Sequence, residues 1–104
     1  MTEHYRVRLT PQVLSDLEEI HAYIAEDSPR NAASMLERIL DAIDSLEMFP
    51  HRTVVERQDR ALKYAVRSLP VKPYVIYFRV IDEEKTVVVR HVRHGARRRP
   101  DSMD

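Results

Sequence analysis

The chain has 104 residues, 43% of them hydrophobic, and a formal net charge of zero, which suits one domain around one core and leaves too little chain for two. It has no cysteine and a single glycine, which excludes disulfide frameworks, cysteine-ligated zinc, thiol nucleophiles and the glycine-rich phosphate loops of Walker or Rossmann type. The zero total conceals a split: residues 1–50 hold four Lys/Arg against ten Asp/Glu, a net −6, and residues 51–104 hold 13 against seven, a net +6. Such a split marks either a polarised surface with a basic side for an anionic partner, or two halves that attract one another across the fold.

"YRVRL" (Tyr5 to Leu9) alternates apolar and basic residues and predicts a short edge or near-edge strand with one covered face. Before it, "MTEHYRVRLT" has no apolar run of signal-peptide length, and nothing elsewhere approaches the roughly 20 apolar residues that span a bilayer; a cytoplasmic protein with no membrane partner is expected. Thr10 and Pro11 then supply a capping hydroxyl followed by proline at the first helical position. Val13, Leu14, Leu17, Ile20 and Ile24 follow at helical spacing, with Asp16, Glu18, Glu19 and Glu26 mostly off that stripe. The device recurs at Ser28 and Pro29, and a second stripe runs through Ala32, Met35, Leu36, Ile39, Leu40, Ile43 and Leu46. Two amphipathic helices so closely joined form an antiparallel hairpin, and each needs a third surface to bury its stripe.

"MFPHRTVVERQDRALKYA" loses the helical period and is heavily charged, so its first part reads as a loop crossing back to a sheet. Three strands follow: Leu62 to Leu69, Pro73 to Ile81 and, after the turn "DEEK", Lys85 to His94, ended by Gly95. The expected fold is α+β, in the order β-α-α-β-β-β, with a helical hairpin on one face of a small antiparallel sheet. Residues 1–104 form one domain, with 98–104 as a flexible tail. Because two helices cover one face only, the other faces water or a partner, and Arg67, Arg79, Arg90, Arg93 and His94 are the candidates to lie on it or at its rims.

His91 and His94 stand at i and i+3, a spacing that serves one metal on a helix but points to opposite faces of a strand, so no metal and no cofactor is expected. The serines carry no nucleophile motif. What remains is a cluster of Arg67, Arg79, Arg90, Arg93, His94, Arg97, Arg98 and Arg99. Guanidinium forks bind phosphate bidentately, and a histidine can exchange a proton near neutrality; the plainer account is a set of solvated strand arginines and a basic tail. Tyr74 and Tyr77 have opposite parity, so one should face the core and the other the open side, where it could pack or stack on a base.

With "DLEEIHAYIAEDSPRNA", the "SLEMFP" close of the second helix, and "YVIYFRV" followed by "VRHVRHGARR", in this order over residues 4–98, the chain resembles the RelE/ParE toxin superfamily of type II toxin–antitoxin systems. It is more similar to the ParE-like branch of plasmid stabilisation proteins. The resemblance implies a cytoplasmic toxin silenced by a cognate antitoxin in a hetero-oligomer, with a dimer of such complexes left open and operator DNA bound only through the antitoxin. ParE-like toxins inhibit DNA gyrase; the resemblance matches Arg67, His94 and Arg97 to the family's basic positions, and with Arg90 and Arg93 of the same basic cluster these are the expected target-binding residues. RelE-like relatives instead cut messenger RNA on the ribosome; in that reading Arg67 and Arg90 clamp phosphate and His94 is the acid or base. The sequence departs from that pattern in having no tyrosine beyond Tyr77, and it carries "PHRT" where many relatives place a glycine soon after the proline. A third reading is a relative that has lost toxicity and only binds its antitoxin.

Overall fold

A computed structural model describes residues 4–59 and 64–95 of the chain. Strand β1 (Arg6–Leu9) leads into helices α1 (Pro11–Ala25) and α2 (Pro29–Asp44), and strands β2 (Val54–Asp59), β3 (Tyr64–Val71), β4 (Tyr74–Ile81) and β5 (Thr86–His94) follow. Short 3₁₀ turns close α2 at Ser45–Glu47, carry the chain through Pro50–Arg52 and join β4 to β5 at Asp82–Glu84. The sheet order is β1-β5-β4-β3-β2. The helix-then-strand order is the expected one, with two differences. The sheet is mixed, because β1 runs parallel to β5, and Val54–Asp59, within the segment expected to be a loop, is a fifth strand antiparallel to β3. Its two valines, Val54 and Val55, remain exposed, so β2 is held by backbone pairing rather than by an apolar face, and hydrophobic alternation could not reveal it.

Both helices begin where their caps predict. Thr10 Oγ1 accepts from the Val13 N–H at 3.3 Å and donates to the Val89 carbonyl at 3.1 Å, so one hydroxyl starts α1 and ties it to β5. Ser28 Oγ accepts from the Asn31 N–H at 3.1 Å. Val13, Leu17 and Ile20 of α1 and Ala32, Ile39 and Ile43 of α2 are buried, with Leu46 just beyond α2, whereas Leu14 and Leu40 lie on exposed flanks of their helices. The helices share a core with Ile76, Phe78 and Val80 of β4 and Val87, Val89 and Val92 of β5. Gly95 follows β5, its N–H donating to the Pro73 carbonyl at 2.6 Å; a Cβ there would lie 3.2 Å from the same oxygen.

Registered neighbours in a sheet share a face, so the register decides which residues look away from the helices. Phe78 lies in the helix-side core, which puts Ser68 and Tyr77, Val75 and Arg93, and Arg79 and Val88 on the opposite face. Among the described residues no helix covers that face. Replacing the fully buried Phe78 by alanine should lower unfolding stability by about 3–5 kcal/mol, read from the urea midpoint at an unchanged slope; a loss under about 1 kcal/mol would show that the helices close over the void.

Candidate functional site: a basic sheet face and its rim

The open face takes residues from all five strands. Arg8 of β1 is registered with Val88 of β5, which is registered with Arg79 of β4; Arg6 is registered with Thr86, and His91 with Tyr77. With Arg93, this gathers four arginines and a histidine on the face away from the helices, where Glu56 also lies, bound by the Ser68 hydroxyl at 2.6 Å. Residues 11–44, by contrast, hold eight carboxylates against two arginines. The charge split of the sequence is therefore a split between layers, acidic helices on one side and a basic sheet face on the other.

The expected members of this face fare unequally. Arg79 and Arg93 lie on it. Arg90 is the extra residue of a bulge, where the register shifts between Tyr77 and Phe78. Arg67 is registered with Phe78 and so lies on the helix side, where its Nη1 donates to the carbonyls of Thr53 at 2.9 Å and His51 at 3.2 Å. It fastens the connection ahead of β2. His94 is registered with Tyr74, again on the helix side, and meets that ring edge-on at 5.5 Å. An open-face placement is thus corrected for Arg67 and His94, each an even number of residues from a core-facing position once the register is known, while His94 does stand by the rim, lining a groove with Asp16 and Arg93. Arg97, Arg98 and Arg99 lie outside the described residues, as does the tail at 98–104.

Tyr77 faces the open side as its parity requires, yet it is only 6% exposed and packs with Val66 and Val75. Its ring is already covered, which removes it as a stacking platform. Arg6, Arg8 and His91 are not expected on this face from the sequence, where His91 enters only as a metal ligand with His94, although the alternation in "YRVRL" is the signal for the two arginines.

The best-connected group of the site is Asp16, which an acidic position on a helix would not suggest. It is 3% exposed. Its Oδ1 accepts from Gln12 Nε2 at 2.8 Å and from Arg93 Nη1 at 3.2 Å, and its Oδ2 accepts from the Val92 N–H at 3.0 Å. Three donors satisfy a carboxylate that would otherwise be too costly to bury. Arg93 is held from both sides, since its Nη2 lies 3.2 Å from His91 Nδ1. Burial first, then the positive charges of Arg93 and Arg90, hold the His91 pKa below its ordinary value, with Asp16 opposing them. At neutral pH the imidazole is therefore neutral, with Nδ1 available to accept from Arg93. On the helix side of the same rim lies an open groove of about 670 Å³, lined by Asp16, Glu19, Ile20, Tyr23, Met35, Tyr74 and His94 among others.

At the far end of the sheet, Asp82 Oδ1 accepts from the Tyr5 hydroxyl at 2.8 Å and lies 2.8 Å from His51 Nε2. The hydrogen bond to His51 is the main cause of a lowered Asp82 pKa. This cluster joins the residue ahead of β1 to the 3₁₀ turns at Pro50–Arg52 and Asp82–Glu84.

The family described as the ParE toxin of the type II toxin–antitoxin system parDE matches residues 7–99. The chain belongs to this family. It is 34% identical to the toxin-class protein Y4kP of Sinorhizobium fredii over 83% of this chain and 86% of that one. It is also 37% identical to toxin RelE2 of Caulobacter vibrioides over 85% and 92%. Among solved structures, the chromosomal ParDE system of P. aeruginosa superposes with a TM-score of 0.68 at 19% identity, covering 88% of this chain and 96% of that one. The RelBE2 toxin–antitoxin complex of Mycobacterium tuberculosis gives 0.60 at 29%, covering 91% and 95%. This family member is thus a type II toxin of the ParE/RelE superfamily, with that superfamily's helices-on-sheet fold. Among the described residues, no helix is long and apolar enough to cross a membrane.

Two measurements test this account of the site. Arg67→Met keeps the apolar stem and removes the two carbonyl contacts, so it should cost about 1–3 kcal/mol of stability; a surface arginine kept only for a target would be neutral within about 0.5 kcal/mol. For His91 the folded pKa lies below the unfolded one, so the stability tied to its neutral form is complete above the unfolded value and falls as pH drops toward the folded value. Between pH 7.5 and 5, His91→Asn should lose less stability than the parent; parallel pH profiles would show that His91 charges without penalty.

Proposed function

We propose that this chain arrests growth by protein contact, inhibiting DNA gyrase through its basic sheet face and the rim at the end of β5, and that a cognate antitoxin neutralises it in a hetero-oligomer. Operator DNA is bound only through the antitoxin, and the site of action is the cytoplasm. The observation that carries this reading is the union of a parDE-type family match over residues 7–99 with a face, covered by no described helix, on which Arg6 and Arg8 are exposed and Arg93 stands at the rim. The antitoxin partner is supported by structural relatives that are themselves ParDE and RelBE systems.

A second reading, ribosome-dependent cleavage of messenger RNA, draws support from the RelE2 and RelBE2 relatives. The geometry counts against Arg67, Arg90 and His94 as one catalytic set. Arg67 is registered with Phe78 and His94 with Tyr74, four residues apart along β4, or about 13 Å, and on strands separated by a third. The Arg67 guanidinium is in addition bound to the carbonyls of Thr53 and His51, and both observations support the protein-contact reading over this set.

Pulse-labelling in the minutes after induction without antitoxin separates the two. Thymidine incorporation should fall before methionine incorporation, and Arg6→Glu combined with Arg8→Glu, both exposed on the edge strand, should abolish the arrest while the protein stays folded. An early fall in methionine incorporation would replace gyrase with the ribosome, and full toxicity of the double variant would remove this face from the mechanism.

A further inference from the structure

Arg93 is placed by its backbone on the open face, level with Val75 and two residues from His91, yet its guanidinium also reaches a carboxylate that belongs to the helix layer. The reason lies in the lengths of the strands. β1 pairs with β5 only as far as Leu9 and Val89. Beyond that point Asp16 lies along the vacated edge and accepts the Val92 N–H, in the place where a carbonyl of a longer β1 would have stood. Asp16 is thereby fixed at the rim, and the guanidinium bound to it is fixed as well.

We propose that Asp16 is the positioning residue of the basic surface: its carboxylate holds Arg93 across the rim of the sheet, so that Arg93 engages His91 Nδ1 and the Arg93–His91 pair is presented to the target in one arrangement. The part that concerns the target rests on the reading above; the part that concerns geometry does not. Arg93 gives one side of its fork to Asp16 and the other to His91, so a target group would meet the imidazole Nε2–H together with a guanidinium already oriented and partly neutralised. The groups that face His91 are Arg90 and Arg93 on its own strand, Tyr77 across on β4 and Asp16 from α1.

Asp16→Asn distinguishes positioning from simple charge. The asparagine has one accepting oxygen, and the buried Val92 N–H will claim it, because an unmet buried amide is the more costly loss. The side-chain NH₂ then points at Arg93 and displaces it. If Asp16 positions Arg93, the displaced guanidinium no longer crowds the imidazole, and the His91 titration midpoint, followed by NMR on the folded full-length chain, rises toward the ordinary value. If Asp16 acts only as a negative charge, its removal lowers the midpoint further, and the proposal fails.

Arg93→Gln, a change at the rim, provides a control that removes the cation of the buried carboxylate but leaves the Asp16 side chain with its Val92 and Gln12 donors. It should raise the midpoint by itself, and adding Asp16→Asn to it should raise the midpoint no further, the non-additivity expected of residues acting through one another. An unchanged midpoint in Arg93→Gln overturns the proposal even if Asp16→Asn cannot be purified. The thymidine-labelling assay then tests the dependent part. Loss of arrest in folded Asp16→Asn supports presentation to the target, whereas full arrest with a raised midpoint keeps the positioning and removes this pair from target contact.

Discussion

The fold turns on a mismatch between two strands. β5 has nine residues and β1 has four, so after Val89 the longer strand loses its neighbour on one side. A sheet edge with open donors and acceptors invites pairing with other chains. Here Thr10 ends the pairing by bonding the Val89 carbonyl through both its N–H and its hydroxyl, and turns the chain into α1. The helix brings Asp16 back to the same edge. One short strand, one capping threonine and one aspartate thus decide where α1 sits, which β5 amide is covered, and where the rim between groove and open face falls.

The same constraint shapes the surface chemistry. A carboxylate buried at the rim requires a cation, and Arg93 supplies it. The arginine nearest the groove is therefore engaged inside the molecule and Arg79 is only 8% exposed, while Arg6 and Arg8 on the short edge strand are exposed. A surface that looks uniformly basic by residue count is graded: positive charge is available along β1, buried at Arg79 and compensated by Asp16 at the end of β5. Charge-reversal results on this face should be weighed accordingly, since a change at Arg93 disturbs Asp16, Val92 and His91 together, whereas one at Arg8 alters the outward field more simply.

Much of the architecture was legible because it rests on local chemistry. The pairs Thr10–Pro11 and Ser28–Pro29 start helices where the residues place them, and the valine-rich runs of β4 and β5 can be little else than strands. The parallel pairing of β1 was not legible, since alternation specifies a covered face and says nothing of strand direction. β2 escaped because its polar run "ERQD" has no apolar period. The faces of Arg67 and His94 escaped for a third reason. Strand parity is countable only when register and bulges are known, and the bulge at Arg90 shifts the count within β5 by one.

Asp16 was the largest omission, and its cause is general. On a helical wheel a carboxylate beside an apolar stripe reads as part of the solvated flank. What makes this one structural is a tertiary fact, a strand that stops four residues after it starts. The useful signal was a length difference between two predicted strands rather than anything about the aspartate. A short edge strand followed at once by a helix leaves backbone groups on its neighbour to be satisfied, and the polar residues in the first turns of that helix are the groups within reach. In this toxin the same residue satisfies the edge, compensates an arginine and adjoins the groove. A sequence that keeps the fold while changing Asp16 must therefore find a new acceptor for the Val92 N–H before it can release Arg93.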